Sequence, residues 1–183
     1  MKEMEAEDLP VKGSFIIHPK EFYDDRGALL KMHDRKLLFQ KGVAPIFPED
    51  YVTISRKGVV RGMHYQIDFP QAKLVRCLKG EIFDVFVDMR KSSPSFGRWH
   101  SVLLTAENKL SLYVPRGCAH GVLSMTEGTV LSYKADNDYS PAHERTLLWN
   151  DKTIGIAWPK MDDYLVSKKD LAGSSFEDAE KFE

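Results

Sequence analysis

Hydrophobic and polar residues alternate in short runs along most of the chain. The segments GSFIIHP, YVTIS, AKLVRCL, EIFDVFVDM, WHSVLLT, SLYVP, GVLSM and TVLSYKA are rich in β-branched and aromatic side chains. Turn-forming stretches punctuate them: DDRG at 24–27, KG at 79–80, SSPSFG at 92–97, PRG at 115–117 and TEG at 126–128. Many short strands at close spacing predict an all-β sandwich or barrel and argue against alternating βαβ units. Two short helices are expected. One covers KLLFQKG near 36–42 and stops at Gly42, and the other covers SFEDAEKF near the C-terminus, where a serine precedes an acidic first turn.

Period-two alternation then assigns faces. In AKLVRCL, Lys73, Val75 and Cys77 point one way and Leu74, Arg76 and Leu78 the other. In TVLSYKA, Tyr133 shares a side with Leu131 and Ala135, which makes it an interior tyrosine, while Lys134 faces solvent. A chain of 183 residues, 43% of them hydrophobic, suits one domain with a sizeable core over residues 1–183. Residues 1–10 and about 172–183 are charged and poor in core residues, and are expected as loosely docked ends.

Charge narrows the partners. Lys and Arg number 26 against 27 for Asp and Glu, so no basic footprint for nucleic acid or an anionic membrane is present. The acidic start MKEMEAEDLP lacks the pattern of a secretory signal, and no apolar run approaches membrane-spanning length, so a cytoplasmic location is the default. Cys77 and Cys118 form no disulfide framework and read as small packing residues.

Candidate chemistry centres on VVRGMHYQ, where a strand-like segment carries Arg61 and His64 around Gly62. Strict alternation puts those two side chains on opposite faces. Either a bulge at Gly62 brings them together, or Arg61 sits at a barrel mouth. The stretch VPRGCAHG matches P-x-G-x-x-H, a pattern of the second motif in the cupin superfamily of jelly-roll barrels, with His120 at the metal-ligand position. The first cupin motif is not matched, because Tyr65 and Gln66 follow His64. Two histidines fall short of the three or so ligands a divalent metal needs, so no metal is expected. Asp84 is either a carboxylate that orients His120 or an exposed one.

From YDDRG at 23–27 through VSKKD at 166–170 the chain resembles the dTDP-4-dehydrorhamnose 3,5-epimerase family. The blocks that carry the resemblance are VVRGMHYQ, QAKLVRCLKGEIFDVFVDMRKSSPSFGRW, LTAENK, VPRGCAHG, SYKADNDYSPAHE and WNDKTIGIAWP. The resemblance implies a cupin jelly-roll barrel with a few short peripheral helices, a homodimer, no cofactor and no metal. It implies inversion of stereocentres beside the C4 ketone of a nucleotide-diphosphate 4-keto-6-deoxy sugar. Carried over by motif, His64 is the general base, Asp170 its orienting partner, Tyr133 the proton donor and Lys73 the group that stabilises the enolate. Arg26, Arg61, His120, Glu144 and Lys169 fall on substrate-contacting positions, and Tyr139 on the residue that stacks against the base.

These residue types suit the chemistry. A proton beside a ketone is weakly acidic, so its removal needs a base of near-neutral pKa and a cation where charge gathers on the carbonyl oxygen. Inversion also needs a donor on the opposite face of the ring. The family's substrate-contacting positions are altered at Lys31, where it carries glutamate, and at Glu49 and Tyr51, where it carries Q-x-N. An ionised Glu49 only accepts hydrogen bonds, which suits the amino groups of cytosine or guanine better than thymine; in the other reading Lys31 and Glu49 pair with one another. Competing functions are a single-centre C3 or C5 epimerase on a CDP- or GDP-linked sugar, a non-catalytic sugar-nucleotide-binding cupin, and a metal-dependent cupin enzyme.

Overall fold

The computed structural model describes residues 4–183. In chain order the strands are β1 (Glu5–Asp8), β2 (Phe15–His18), β3 (Lys20–Asp24), β4 (Gly27–Lys31), β5 (Glu49–Ser55), β6 (Val59–Gln66), β7 (Lys73–Lys79), β8 (Glu81–Asp88), β9 (Trp99–Thr105), β10 (Ser111–Val114), β11 (Cys118–Ser124), β12 (Thr129–Ala135), β13 (Glu144–Thr146) and β14 (Leu165–Val166). Helix α1 (Arg35–Gln40) lies between β4 and β5, and α2 (Lys168–Leu171) follows β14. One sheet has the order β1-β2-β10-β7-β12-β5, and the other β13-β6-β11-β8-β9 with β14 parallel to β6. β3 and β4 form a separate hairpin.

The alternation read from the sequence sets the core. Val75, Cys77 and Leu131 from the first sheet meet Ile82, Phe86 and Leu104 from the second, with Tyr133 packed against that cluster. Burying a side chain as large as Phe86 contributes about 1.5–3 kcal/mol. Leu74 points to the opposite face of β7, where it packs with Phe15, Ile17 and Tyr113 beneath Leu38 of α1. Asp34 caps α1 by accepting the Leu37 N–H at 2.8 Å. Cys77 and Cys118 are both buried and unpaired, and burial pushes both thiols up.

The chain ends differ from the expectation of loose docking. β1 pairs along its length with β2, and residues 1–3 lie outside the described residues. At the other end, Ser174 bridges to Leu147 and Phe182 to Arg90, and Ala179 is buried among Met63, Tyr65 and Val87. SFEDAEKF forms turns in place of the expected helix. Its flanks are tied to the barrel by those bridges, and the Phe176 N–H is taken by Asp151 at 3.0 Å, so the backbone follows the sheet surface. No helix among the described residues is long and apolar enough to cross a membrane.

Candidate active site

Two adjoining lobes, of ≈ 240 and ≈ 350 Å³, open between the sheets and share His64, Lys73 and Tyr133 in their walls. His64 comes from β6 in one sheet, and Lys73 and Tyr133 come from β7 and β12 in the other. The three groups therefore reach a common space from facing walls.

A bulge in β6 creates this arrangement. His64 pairs with His120 and Arg61 with Val122, so Gly62 and Met63 together face the single residue Gly121. The extra residue breaks strict alternation, and Arg61 and His64 both line the larger lobe. Only glycine fits at the bulge. Gly62 has φ +128°, and a Cβ there would lie 2.5 Å from Gly121 Cα and 2.7 Å from the His120 carbonyl.

Asp170 sits in α2, where the Ser167 hydroxyl accepts its N–H at 3.1 Å. Its Oδ1 lies 2.7 Å from His64 Nε2, and its Oδ2 accepts the Gly62 N–H at 3.2 Å. Burial works to raise the Asp170 pKa, but the hydrogen bond and charge of His64 with the Gly62 N–H outweigh it and hold the carboxyl below its usual value. An ionised carboxylate only accepts, so Nε2 carries the proton and Nδ1 is left as the basic nitrogen.

On the facing wall, burial lowers the Lys73 pKa to about 8, against the attraction of Asp84 and Glu144. Burial also raises the Tyr133 phenol, and the charge of Glu49 adds to that. Its neutral form is thus a proton donor at ordinary pH. Deeper in the barrel, Asp84 Oδ1 lies 2.9 Å from His120 Nε2, with Asp84 fully buried. Asp84 is therefore oriented onto His120 and not exposed.

The cavity rim is a chain of polar contacts. The Tyr139 hydroxyl donates to Glu144 at 2.7 Å, and Glu144 pairs with Lys169 at 2.5 Å. Glu49 accepts from the Tyr51 hydroxyl at 2.7 Å, the Gln71 amide at 3.2 Å and the Tyr139 N–H at 2.8 Å. A basic imidazole, an ammonium and a neutral phenol around one cavity suit proton removal and return beside a carbonyl. Among the described residues no group of three His, Cys, Asp or Glu side chains could hold a metal ion.

The family described as dTDP-4-dehydrorhamnose 3,5-epimerase matches the chain over residues 8–178. A protein of that name from Shigella flexneri is 46% identical over 170 residues, covering 91% of this chain and 93% of its own. The crystal structure of a dTDP-4-dehydrorhamnose 3,5-epimerase from Elizabethkingia anophelis NUHP1 superposes with a TM-score of 0.92 at 39% identity, covering 96% and 97% of the two chains. That of dTDP-6-deoxy-D-glucose-3,5-epimerase RmlC from Legionella pneumophila Philadelphia 1, in complex with dTDP-4-keto-L-rhamnose, gives 0.93 at 35% identity, covering 97% and 95%. The chain belongs to the dTDP-4-dehydrorhamnose 3,5-epimerase family.

Against the family pattern, the structure gathers His64, Lys73, Tyr133, Asp170, Arg61, His120, Tyr51, Tyr139, Glu144 and Lys169 in the walls of the two lobes. Glu49 stands behind that wall, on Tyr51. Arg26 and Lys31 are not brought there. Arg26 lies in the turn of the exposed β3–β4 hairpin and pairs with Asp24 at 2.6 Å. Lys31 pairs with Asp34 at 2.8 Å and not with Glu49. Two glutamines of the cavity wall escaped the sequence reading. Gln71 and Gln66 both line the smaller lobe; alternation carried two places on from His64 in β6 would have found Gln66, whereas Gln71 lies in the loop before β7, where no strand periodicity applies.

Proposed function

We propose that the protein inverts C3 and C5 of a dTDP-linked 4-keto-6-deoxy sugar by removing and returning protons beside the C4 ketone. The observation that carries this reading is the meeting of His64, braced by Asp170, with Lys73 and Tyr133 from the facing sheet in one cavity. The relative from Shigella flexneri bears the name of that activity, and the Legionella structure holds dTDP-4-keto-L-rhamnose. His64 Nδ1 takes the proton from carbon, the Lys73 ammonium meets the charge on the ketone oxygen, and Tyr133 returns a proton to the opposite ring face. Each acid or base contributes about 100- to 10,000-fold.

Arg61, His120 and Lys169 supply cationic or donor groups for the sugar and diphosphate, and Tyr139 at the rim offers an aromatic face to the base. The amino-bearing base suggested for Glu49 loses its ground, because both carboxylate oxygens already accept internal donors. The working form is a cytoplasmic homodimer. Leu29 of the hairpin and Val52 and Ile54 of edge strand β5 are 61–72% exposed, apolar side chains that an interface with a second copy would cover. Arg26 and Lys31 meet substrate only across that interface.

Incubation with dTDP-, CDP-, GDP- and UDP-linked 4-keto-6-deoxy sugars in heavy water, read by NMR, tests the reading. Deuterium at both C3 and C5 with preference for dTDP is expected. Label at one carbon would make the enzyme a single-centre epimerase, and no label would exclude the activity.

A further inference from the structure

The Tyr133 ring is held from one side by a neighbour that also lines the cavity. Tyr51 is the cross-strand neighbour of Tyr133 in the β12–β5 pair, and the two rings stack with centroids 5.0 Å apart and planes 23° from parallel. Tyr51 is itself anchored, because its hydroxyl donates to Glu49. That carboxylate is pinned in turn by the Gln71 amide and the Tyr139 N–H. A stacked ring whose far end is tied to a three-donor carboxylate has little freedom to slide, and the ring packed on it inherits that order.

We infer that Glu49 and Tyr51 are positioning residues for Tyr133, setting how efficiently its phenol delivers a proton to the ring face opposite His64. The inference rests on the reading of Tyr133 as the donor. In the forward step the C–H bond breaks, its proton goes to His64, and the electron pair enters the enolate. The phenol O–H then breaks, its proton goes to carbon on the other face, and water returns a proton to the phenolate while the imidazolium gives its proton up to water. If Tyr133 is out of place, the imidazolium returns a proton to the face it came from, and the centre exchanges without inverting.

Electrostatics act in the same direction. Glu49 raises the Tyr133 pKa, after burial, and so favours the protonated donor. Other groups that share the cavity with the phenol are Tyr51, Lys73, Arg61, His64 and Glu144. Tyr65, Tyr139, His120, Lys169 and Asp170 line the same two lobes.

The test compares wild type with Tyr51→Phe, which keeps the stack and removes the anchor, and with Tyr51→Leu, which removes both. Deuterium wash-in and inversion are followed together in heavy water. Misplacement of the donor should lower kcat for inversion about 10- to 100-fold, with KM within about twofold and the ratio of exchange to inversion raised. A fall in exchange and inversion together, or an unchanged ratio, overturns the inference, since general damage to the site lowers both.

Glu49→Gln supplies a readout without turnover. In protein labelled with ¹³C at the tyrosine ring, the signal missing from Tyr133→Phe identifies Tyr133, and its titration should move to lower pH in Glu49→Gln. No movement would overturn the inference even if the Tyr51 variants fail to fold. A wild-type enzyme that exchanges no carbon-bound proton would remove the epimerase reading itself, and the inference with it.

Discussion

His64 and Asp170 lie 106 positions apart in the chain and 2.7 Å apart in space. Replacing His64 by Asn should lower kcat about 100- to 10,000-fold with KM little changed, measured by the NMR assay. Asp170→Asn should also be slow, and it should change acid stability in a set direction. The folded carboxyl has a lowered pKa, so its contribution is present above the unfolded value of 3.8 and is lost as pH falls through the folded one. The gap between wild type and Asp170→Asn in urea midpoints should therefore narrow below about pH 4. Lys73 behaves oppositely. Its ammonium is lost as pH rises through about 8, so kcat should decline there, and Lys73→Met should be slow on both sides of that limb. Because the unfolded chain holds that proton up to about 10.5, stability should rise with pH between the two values.

At the scale of an element, the β6–β11 pair explains why a histidine and an arginine three apart in a strand share a cavity. The bulge exists because Gly62 and Gly121 let two backbones approach where any Cβ would collide. Gly62→Ala should cost about 2–4 kcal/mol in urea denaturation, since the clash is with backbone and φ is positive. Gly121→Ala should cost less, because its nearest obstacle is the flexible end of Met63. The strand periodicity was legible without coordinates, and so was α1. Helix α2 was not read, although Ser167 with Asp170 three residues on is a capping signature. The strands flanking the DDRG turn were also unread, because β3 and β4 are almost wholly exposed and show no core face.

Across the whole molecule, the C-terminal segment closes the outer face of the second sheet. The Tyr65 hydroxyl donates to the Glu180 carbonyl at 2.6 Å, and Phe176 and Phe182 pack with Ala179 against that cluster. Removal of residues 174–183 should uncover several kcal/mol of apolar contact and lower Tm by about 10 °C in calorimetry. Residue composition alone pointed the other way, because a charged tail with few apolar residues looks unattached until its aromatic side chains are seen to meet a surface formed by distant strands.

The sequence by itself determined the strand pattern, the inward faces of β7 and β12, and the residue types for carbon-acid chemistry, because alternation and motif spacing are local properties of a chain. Tertiary structure alone decided that Arg61 and His64 share a wall, that Glu49 is spent on Tyr51, Gln71 and Tyr139, and that Arg26 and Lys31 stand apart from the cavity. Those outcomes depend on how two sheets approach and which loops they trap, and contacts between residues scores of positions apart leave no periodicity to read.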